Sequence, residues 1–265
     1  MNEAIRVENK KEDKKFLGKF LLILAGSFLV GIVAGFCMAF LEDATELPAL
    51  ISAAVQNFIV TVAPYVSALY AVVMGIVLIL THRKVSAMAK AWDGEDEEAY
   101  DKMDGILGNV LSALSIGMVI TYFFFAVGFE DIVDRSVFAD CCYFFGFIAA
   151  LVVIIVGQSA LIKLTKELNP EKKGSVYDVK FIDKWEDSCD EAEKILIYKS
   201  AYKTYTKMSS LYVGLWIFCV FGNWVFHFGL MPVTMVSLIW LCQVGFYTHY
   251  SKYYSKHPEK IGVFK

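Results

Sequence analysis

Long uncharged apolar stretches alternate along this chain with short polar stretches that carry nearly all of its charge. A helix that crosses a bilayer needs about 20 mainly apolar residues. The pattern therefore predicts an all-α, polytopic membrane protein with six transmembrane helices in a membrane domain of residues 16–250. The predicted spans are residues 16–41, 58–80, 106–129, 137–164, 212–228 and 233–250.

The second span lies in a segment that is too long for it. As one helix, residues 47–80 would extend roughly 50 Å at about 1.5 Å per residue. The first part of this segment contains Pro48 and Gln56. We interpret residues 48–57 as an interfacial or re-entrant lead-in, with a longer second span as the alternative, and we expect a kink at Pro64.

The orientation follows from the basic residues. The N-terminal tail (1–15), the loops 81–103 and 165–208 and the C-terminal tail (251–265), with the residues that flank them, carry 24 of the 25 Lys and Arg residues. The exception is Arg135. Because Lys and Arg accumulate on the cytoplasmic side, both termini are predicted to be cytoplasmic.

Composition narrows the classes of function. Apolar residues make up 57% of the chain, and the net charge of −3 does not suggest a nucleic-acid partner. The six cysteines include no C-x-x-C pair, and the adjacent Cys141 and Cys142 do not have the spacing of a zinc site. The first apolar stretch lacks a small-residue cleavage site and is therefore interpreted as a retained span.

The loop between spans 4 and 5 has the pattern of a cytoplasmic helical extension. No Gly or Pro occurs from Tyr177 until Gly214, so we expect one helix that runs into the fifth span. Apolar residues at spacings of three and four predict one apolar face along it. That face consists of Phe181, Ile182, Trp185, Cys189, Ala192 and Leu196.

Three interpretations of this apolar face stay open. The first is a small bundle under the membrane, in which the other cytoplasmic loop covers the face through Val85, Met88, Ala89 and Trp92. The second is a docking face for a cytosolic or membrane protein, with Phe181, Trp185 and Trp92 as the candidate docking residues. The third is regulatory ion binding by the nearby acidic residues.

The spans contain few groups that could perform chemistry. Asp140 is expected to be solvated, because it lies near the outer end of the fourth span. The remaining polar residues are neutral, and they either form hydrogen bonds between helices or line a path. Candidates for an intramembrane polar path are Asn109, Ser112, Gln158 and Asn223. Catalytic and metal-binding motifs are absent from the sequence, so we expect no enzyme, no cofactor and no metal.

Two segments carry a resemblance to a known family. They are residues 169–177 (Asn-Pro-Glu-Lys-Lys-Gly-Ser-Val-Tyr), followed by Phe181, Trp185 and residues 190–193, and the Trp-Asp-Gly-Glu-Asp-Glu-Glu segment 92–98. In these the chain resembles an uncharacterised family of multi-span membrane proteins from Firmicutes, a domain of unknown function. The resemblance implies a bacterial plasma membrane location and no catalytic residues.

Two functional hypotheses follow. The first is a non-enzymatic regulatory, accessory or immunity-type membrane protein that acts through its cytoplasmic helices. The alternative is a small-solute transporter or a channel component that uses the polar residues of the spans. The acidic and aromatic composition of the loop between spans 4 and 5 favours the first hypothesis.

Overall fold

The computed structural model describes residues 47–131, 135–227 and 229–257, together with scattered helical positions between 17 and 36. No strand occurs among these residues, so the prediction of an all-α fold is confirmed. We number the helices from the first one with described bounds. They are α1 (Leu47–Ala91), α2 (Glu97–Val127), α3 (Val137–Leu168), α4 (Phe181–Asp187), α5 (Glu191–Phe226) and α6 (Met231–Lys256), with a 3-10 turn at Gly128–Asp131.

Four of these helices are long and apolar enough to cross a membrane: α1, from Ala49 onward, α2, α3 and α6. They contain the predicted spans 2, 4 and 6 and all but the last two residues of span 3. Within the described part of the chain, the predicted spans 1 and 5 are not among the helices that meet this criterion. Many of residues 16–41 lie outside the described residues.

Helix α1 differs from the prediction because it has no separate lead-in. It is one element of 45 residues that begins at Leu47 and continues through Pro64. Pro48 occupies the first turn of the helix, where its missing backbone N–H would have no partner in any case. The proline that suggested a break therefore marks the start of the helix.

The chain divides into two compact units. The larger unit comprises Ala54–Met208 and Thr248–Lys265, and the smaller one comprises Met1–Ala53 and Ser209–Tyr247. In the larger unit, α1, α2 and α3 share one buried cluster of apolar side chains. Its members are Met74, Val85, Met103, Leu107, Leu114, Ile154, Leu161, Leu164 and Leu168.

Glycines bring these three helices close together. A Cβ atom at Gly146 of α3 would lie 2.8 Å from both the backbone nitrogen and the Cβ of Ala68 in α1. A Cβ at Gly157 would lie 2.5 Å from Cδ1 of Leu78, and one at Gly117 of α2 would overlap the ring of Tyr70. Small residues at such positions let membrane helices pack closely.

This packing predicts that Gly146→Ala lowers the thermal stability of the detergent-solubilised protein. The new methyl group meets the backbone of α1, so the helices must separate, at a cost of roughly 1–3 kcal/mol. Gly108→Ala on α2 is the matched control, because nothing lies within 4 Å of the added Cβ. Thermal unfolding followed by tryptophan fluorescence should show a lower Tm for Gly146→Ala alone. Equal Tm values for the two variants would contradict the packing.

The predicted single helix from Tyr177 is wrong, because the chain turns between Asp187 and Glu191. Asp190 and Glu193 form a reciprocal cap at this point. The Asp190 carboxylate accepts a hydrogen bond from the Glu193 backbone N–H at 2.8 Å, and the Glu193 carboxylate accepts one from the Asp190 N–H at 3.1 Å. This capping box starts a new helix, and Asp-x-x-Glu is its sequence signature.

The other connection, between α1 and α2, is also a short capped turn. The Asp96 side chain accepts a hydrogen bond from the Ala99 N–H at 3.1 Å and caps α2. The indole N–H of Trp92 donates to the Asp96 carbonyl oxygen at 3.0 Å. The predicted loop 81–103 is therefore mostly helix, with a connector of five residues between Ala91 and Glu97.

Candidate functional site

The connector between α3 and α5 folds around a buried lysine. The Lys172 side chain is only 5% exposed, and its ammonium group donates hydrogen bonds to the Glu193 carboxylate and to the Sγ of Cys189, the latter at 3.4 Å. The same ammonium lies 5.7 Å from the centre of the Trp185 ring. A lysine is almost never buried without such partners. We call Lys172, Trp185, Cys189 and Glu193 the lysine cluster.

Local sequence explains how Lys172 reaches this position. The Asn169 side chain accepts a hydrogen bond from the Glu171 N–H at 3.2 Å and turns the chain directly after α3. Gly174 has a φ of +109°, a conformation that favours glycine, and its carbonyl oxygen accepts a hydrogen bond from Lys166. The Lys173 N–H donates to the Ser188 hydroxyl at 3.0 Å. The Asn-Pro-x-x-x-Gly segment thus aims Lys172 inward.

The protonation states in the cluster follow from its contacts. Burial, the largest influence, lowers the pKa of Lys172, but its hydrogen bonds to Glu193 and Cys189 outweigh burial and leave the pKa raised. Burial raises the pKa of the Cys189 thiol, against the effect of the Lys172 charge. Near neutral pH Lys172 is therefore an ammonium and Cys189 a neutral thiol.

A second contact fixes the orientation of α4 against α5. The Tyr198 hydroxyl donates a hydrogen bond to the Glu186 carboxylate, and this bond, more than burial, raises the pKa of Tyr198 to about 12. Helix α4 has only 7 residues and would not be stable by itself. It is thus held by its bond to α5 and by the contact of Trp185 with Lys172.

The lysine cluster lies near the start of α2. Asp104 remains accessible to solvent, yet the surrounding protein and then the negative charge of Glu193 raise its pKa, while Lys172 has the opposite effect. The α3–α5 connector therefore lies close to the end of the three-helix core at which α2 begins.

The predicted docking residues pack mainly against other residues of the protein. Phe181 and Trp185 are half-buried and in contact, with ring centres 5.6 Å apart. Trp92 packs against the three-helix core and lies 5.8 Å from the ring of Tyr100. The apolar residues of the first loop that were predicted to cover the connector pack on the core instead. They are Val85, Met88, Ala89 and Trp92.

Other apolar residues of the connector are exposed and were not singled out as docking candidates. Val179 is fully exposed, Ile182 is 75% exposed and Tyr177 is 68% exposed. We call these three residues the apolar patch. Helical periodicity missed Tyr177 and Val179 because they precede α4 and lie outside any helix. The sequence signal that could have found them is their alternation with Asp178 and Lys180 in a segment of mixed charge.

The residues of the predicted polar path are not gathered around the core. Asn109 and Ser112 lie on the exposed side of α2, and the Ser112 hydroxyl donates to the Gly108 carbonyl oxygen of its own helix at 2.9 Å. Gln158 is half-buried on α3. Asn223 belongs to the smaller unit. The larger unit thus buries apolar groups where a polar path would need polar ones.

Asp140 corrects another prediction, because it is partly buried rather than solvated. One of its carboxylate oxygens lies 3.8 Å from the guanidinium of Arg135. Arg135 donates to the Gly128 carbonyl oxygen at 2.5 Å and lies 5.1 Å from the centre of the Tyr143 ring. Arg135, the one basic residue outside the predicted cytoplasmic segments, is thus held against the ends of α2 and α3.

Among the residues that the structure describes, no group of three or more His, Cys, Asp and Glu side chains could hold a metal ion. The five described cysteines are free thiols, and Cys189 and Cys219 are buried.

These features define an all-helical protein with at least four helices of membrane-spanning length and a connector built on a buried ion pair. The chain belongs to the family described as "Protein of unknown function (DUF3169)", whose model matches residues 12–251. The match covers both segments on which the resemblance was based. No curated protein and no solved structure matches the chain.

The cluster predicts that Lys172→Met loosens the connector without unfolding the bundle. The change leaves the Glu193 carboxylate without its buried partner, which costs roughly 1–3 kcal/mol locally. Chymotrypsin should then cleave near Phe181 and Trp185 faster than in the wild-type protein. The neighbouring Lys173 is exposed, so Lys173→Met is the matched control. Unchanged cleavage of Lys172→Met would show that the ion pair does not hold the connector.

Proposed function

We propose that this protein is a six-span protein of the bacterial plasma membrane, with both termini in the cytoplasm, that binds a protein partner through the α3–α5 connector. In this role it is a non-enzymatic regulatory, accessory or immunity-type protein. The observation that supports the proposal is the apolar patch, Tyr177, Val179 and Ile182, on a connector that the lysine cluster holds in place.

The exposure of the apolar patch supports docking. Single exposed apolar residues are ordinary, but three large ones within six residues of a polar connector form a local surface that a partner can bury. Residues 177–187 carry four acidic and two basic residues, a net charge of −2, which favours a partner whose apolar contact is bordered by basic residues. These acidic residues are Asp178, Asp183, Glu186 and Asp187.

The number of spans rests on the sequence together with the helix bounds. Helix α5 continues to Phe226, and no charged residue occurs in it after Lys207. This uncharged part supports a fifth span, and the apolar segment 16–41 supports the first. Six spans place the α1–α2 and α3–α5 connectors and both termini on the same side, the side that carries 24 of the 25 basic residues.

A polar path is the weaker candidate. The exposed positions of Asn109 and Ser112 and the apolar core between α1, α2 and α3 favour docking over transport through the larger unit.

The topology is tested by reporter fusions. A fluorescent reporter that folds only in the cytoplasm should be active after residue 265 or within the α3–α5 connector. A phosphatase that is active only outside should be active when fused after residue 134 or residue 230. Phosphatase activity at residue 265 would contradict the even number of spans.

The docking surface is tested by photo-crosslinking in cells. A photo-reactive residue at position 179 should give a crosslinked product of higher mass. Ile182→Asp in the same chain should abolish it, because a charge on the apolar patch opposes burial. Leu196→Asp is the control, since Leu196 is also exposed, at 66%, but lies on α5 outside the patch. If the product survives Ile182→Asp, the apolar patch is not the docking surface.

A further inference from the structure

A groove on the outer surface of the larger unit has the shape and charge of a lipid site. It runs between α1 and α3, is open along one side and has a volume of about 470 Å³. Its walls are apolar over most of their length, and His82 and Arg83 stand at one end. We propose that this groove binds one anionic phospholipid, with an acyl chain between the helices and the phosphate at the basic end.

Small residues create the groove. Nothing lies within 4 Å of the position that a Cβ atom of Gly75 would occupy, so the missing side chain leaves open space beside α1. On the facing side of α3, Gly157 and Ala160 line the groove, and their small side chains leave space in it. The flanking residues Ile79 and Val156 are each 57% exposed. An exposed apolar groove within two helices of membrane-spanning length is suited to hydrocarbon.

The basic end opens into two polar spaces that share residues with the groove. One has a volume of about 230 Å³ and is lined in part by His82 and Lys163, and the other, of about 680 Å³, by Arg83 and Lys90. The carboxylate of Glu167 borders both spaces. Three permanent cations and one carboxylate leave a net positive charge, which complements a phosphate group.

The polar end lies at the depth of the lipid headgroups. On α1, the predicted span ends at residue 80, immediately before His82 and Arg83. On α3, the predicted span ends at residue 164, beside Lys163. Both helices therefore leave the hydrocarbon at the level of these cations, on the predicted cytoplasmic side, where anionic lipids attract Lys and Arg. A free phosphate would match the cations but leave the apolar groove empty.

This lipid site rests on the membrane location proposed above. Separate experiments test the location and the lipid site, so the failure of one can be distinguished from the failure of the other. If carbonate-washed membranes do not retain the protein, the location itself is wrong. If they retain it, the lipid site is tested on the purified full-length chain in nanodiscs of 80% phosphatidylcholine and 20% phosphatidylglycerol. Native mass spectrometry of the released protein counts each bound lipid.

The wild-type protein should keep phosphatidylglycerol in preference to phosphatidylcholine. Replacing both Arg83 and Lys163 by Gln should lower this preference by about fivefold for each charge removed. The control replaces Lys84 and Lys102 by Gln, because both are exposed, neither lines the groove and the net charge changes equally. Equal retention of the two lipids by the wild-type protein, or an equal effect of the control, overturns the proposal.

A second variant tests the groove rather than the charges. Gly75→Leu fills the open space and should reduce the retention of the bound lipid at least fivefold without lowering Tm. Gly108→Leu is the matched control on α2, where an added Cβ also meets open space. Unchanged lipid retention by Gly75→Leu overturns the site. So does a wild-type dimer that Gly75→Leu converts into a monomer, because a second copy would then fill the groove.

Discussion

The packing of α1, α2 and α3 depends on glycines at which no side chain would fit, and at Gly146 the backbone of α1 itself lies against the glycine. In a bilayer, apolar burial alone does not drive helices together, because lipid tails are as apolar as the core. In the proposed membrane location, close packing at Gly117, Gly146 and Gly157 would supply the attraction instead. The buried cluster and the open groove beside Gly75 both depend on the separation of α1 and α3, which the contacts at Gly146 and Gly157 fix.

The sequence predicts the helices well because each long apolar segment has one physical solution in lipid, which is to satisfy its backbone internally. It predicts their ends less well. Pro48 suggested an interruption, although a proline in the first turn is compatible with a helix. The turn at Asp190 was missed because the absence of Gly and Pro was given more weight than the Asp-x-x-Glu cap, whose two hydrogen bonds begin α5.

The lysine cluster was beyond prediction for a different reason. Lys172 and Glu193 are 21 positions apart. Lys172 lies in the turn after α3 and Glu193 in the first turn of α5, and no sequence periodicity connects residues in different elements. Sequence did indicate the segments that build the cluster, since residues 169–177 and Trp185 carry the resemblance to the family. It offered Trp185 as a candidate docking residue, whereas in the structure the ring lies 5.7 Å from the Lys172 ammonium group. The exposed Val179 follows no helical periodicity, and only its alternation with Asp178 and Lys180 points to it.

Helix α1 gives the protein a mechanical property. With 45 residues in one helix, it is about 68 Å long at about 1.5 Å per residue, more than twice the thickness of a hydrocarbon core. In the proposed membrane location, a helix of this length would respond to a change in bilayer thickness by changing its tilt. A small change of tilt within the lipid would then become a larger sideways movement at Ala91. Membrane thickness and the position of the α1–α2 turn would thereby be coupled.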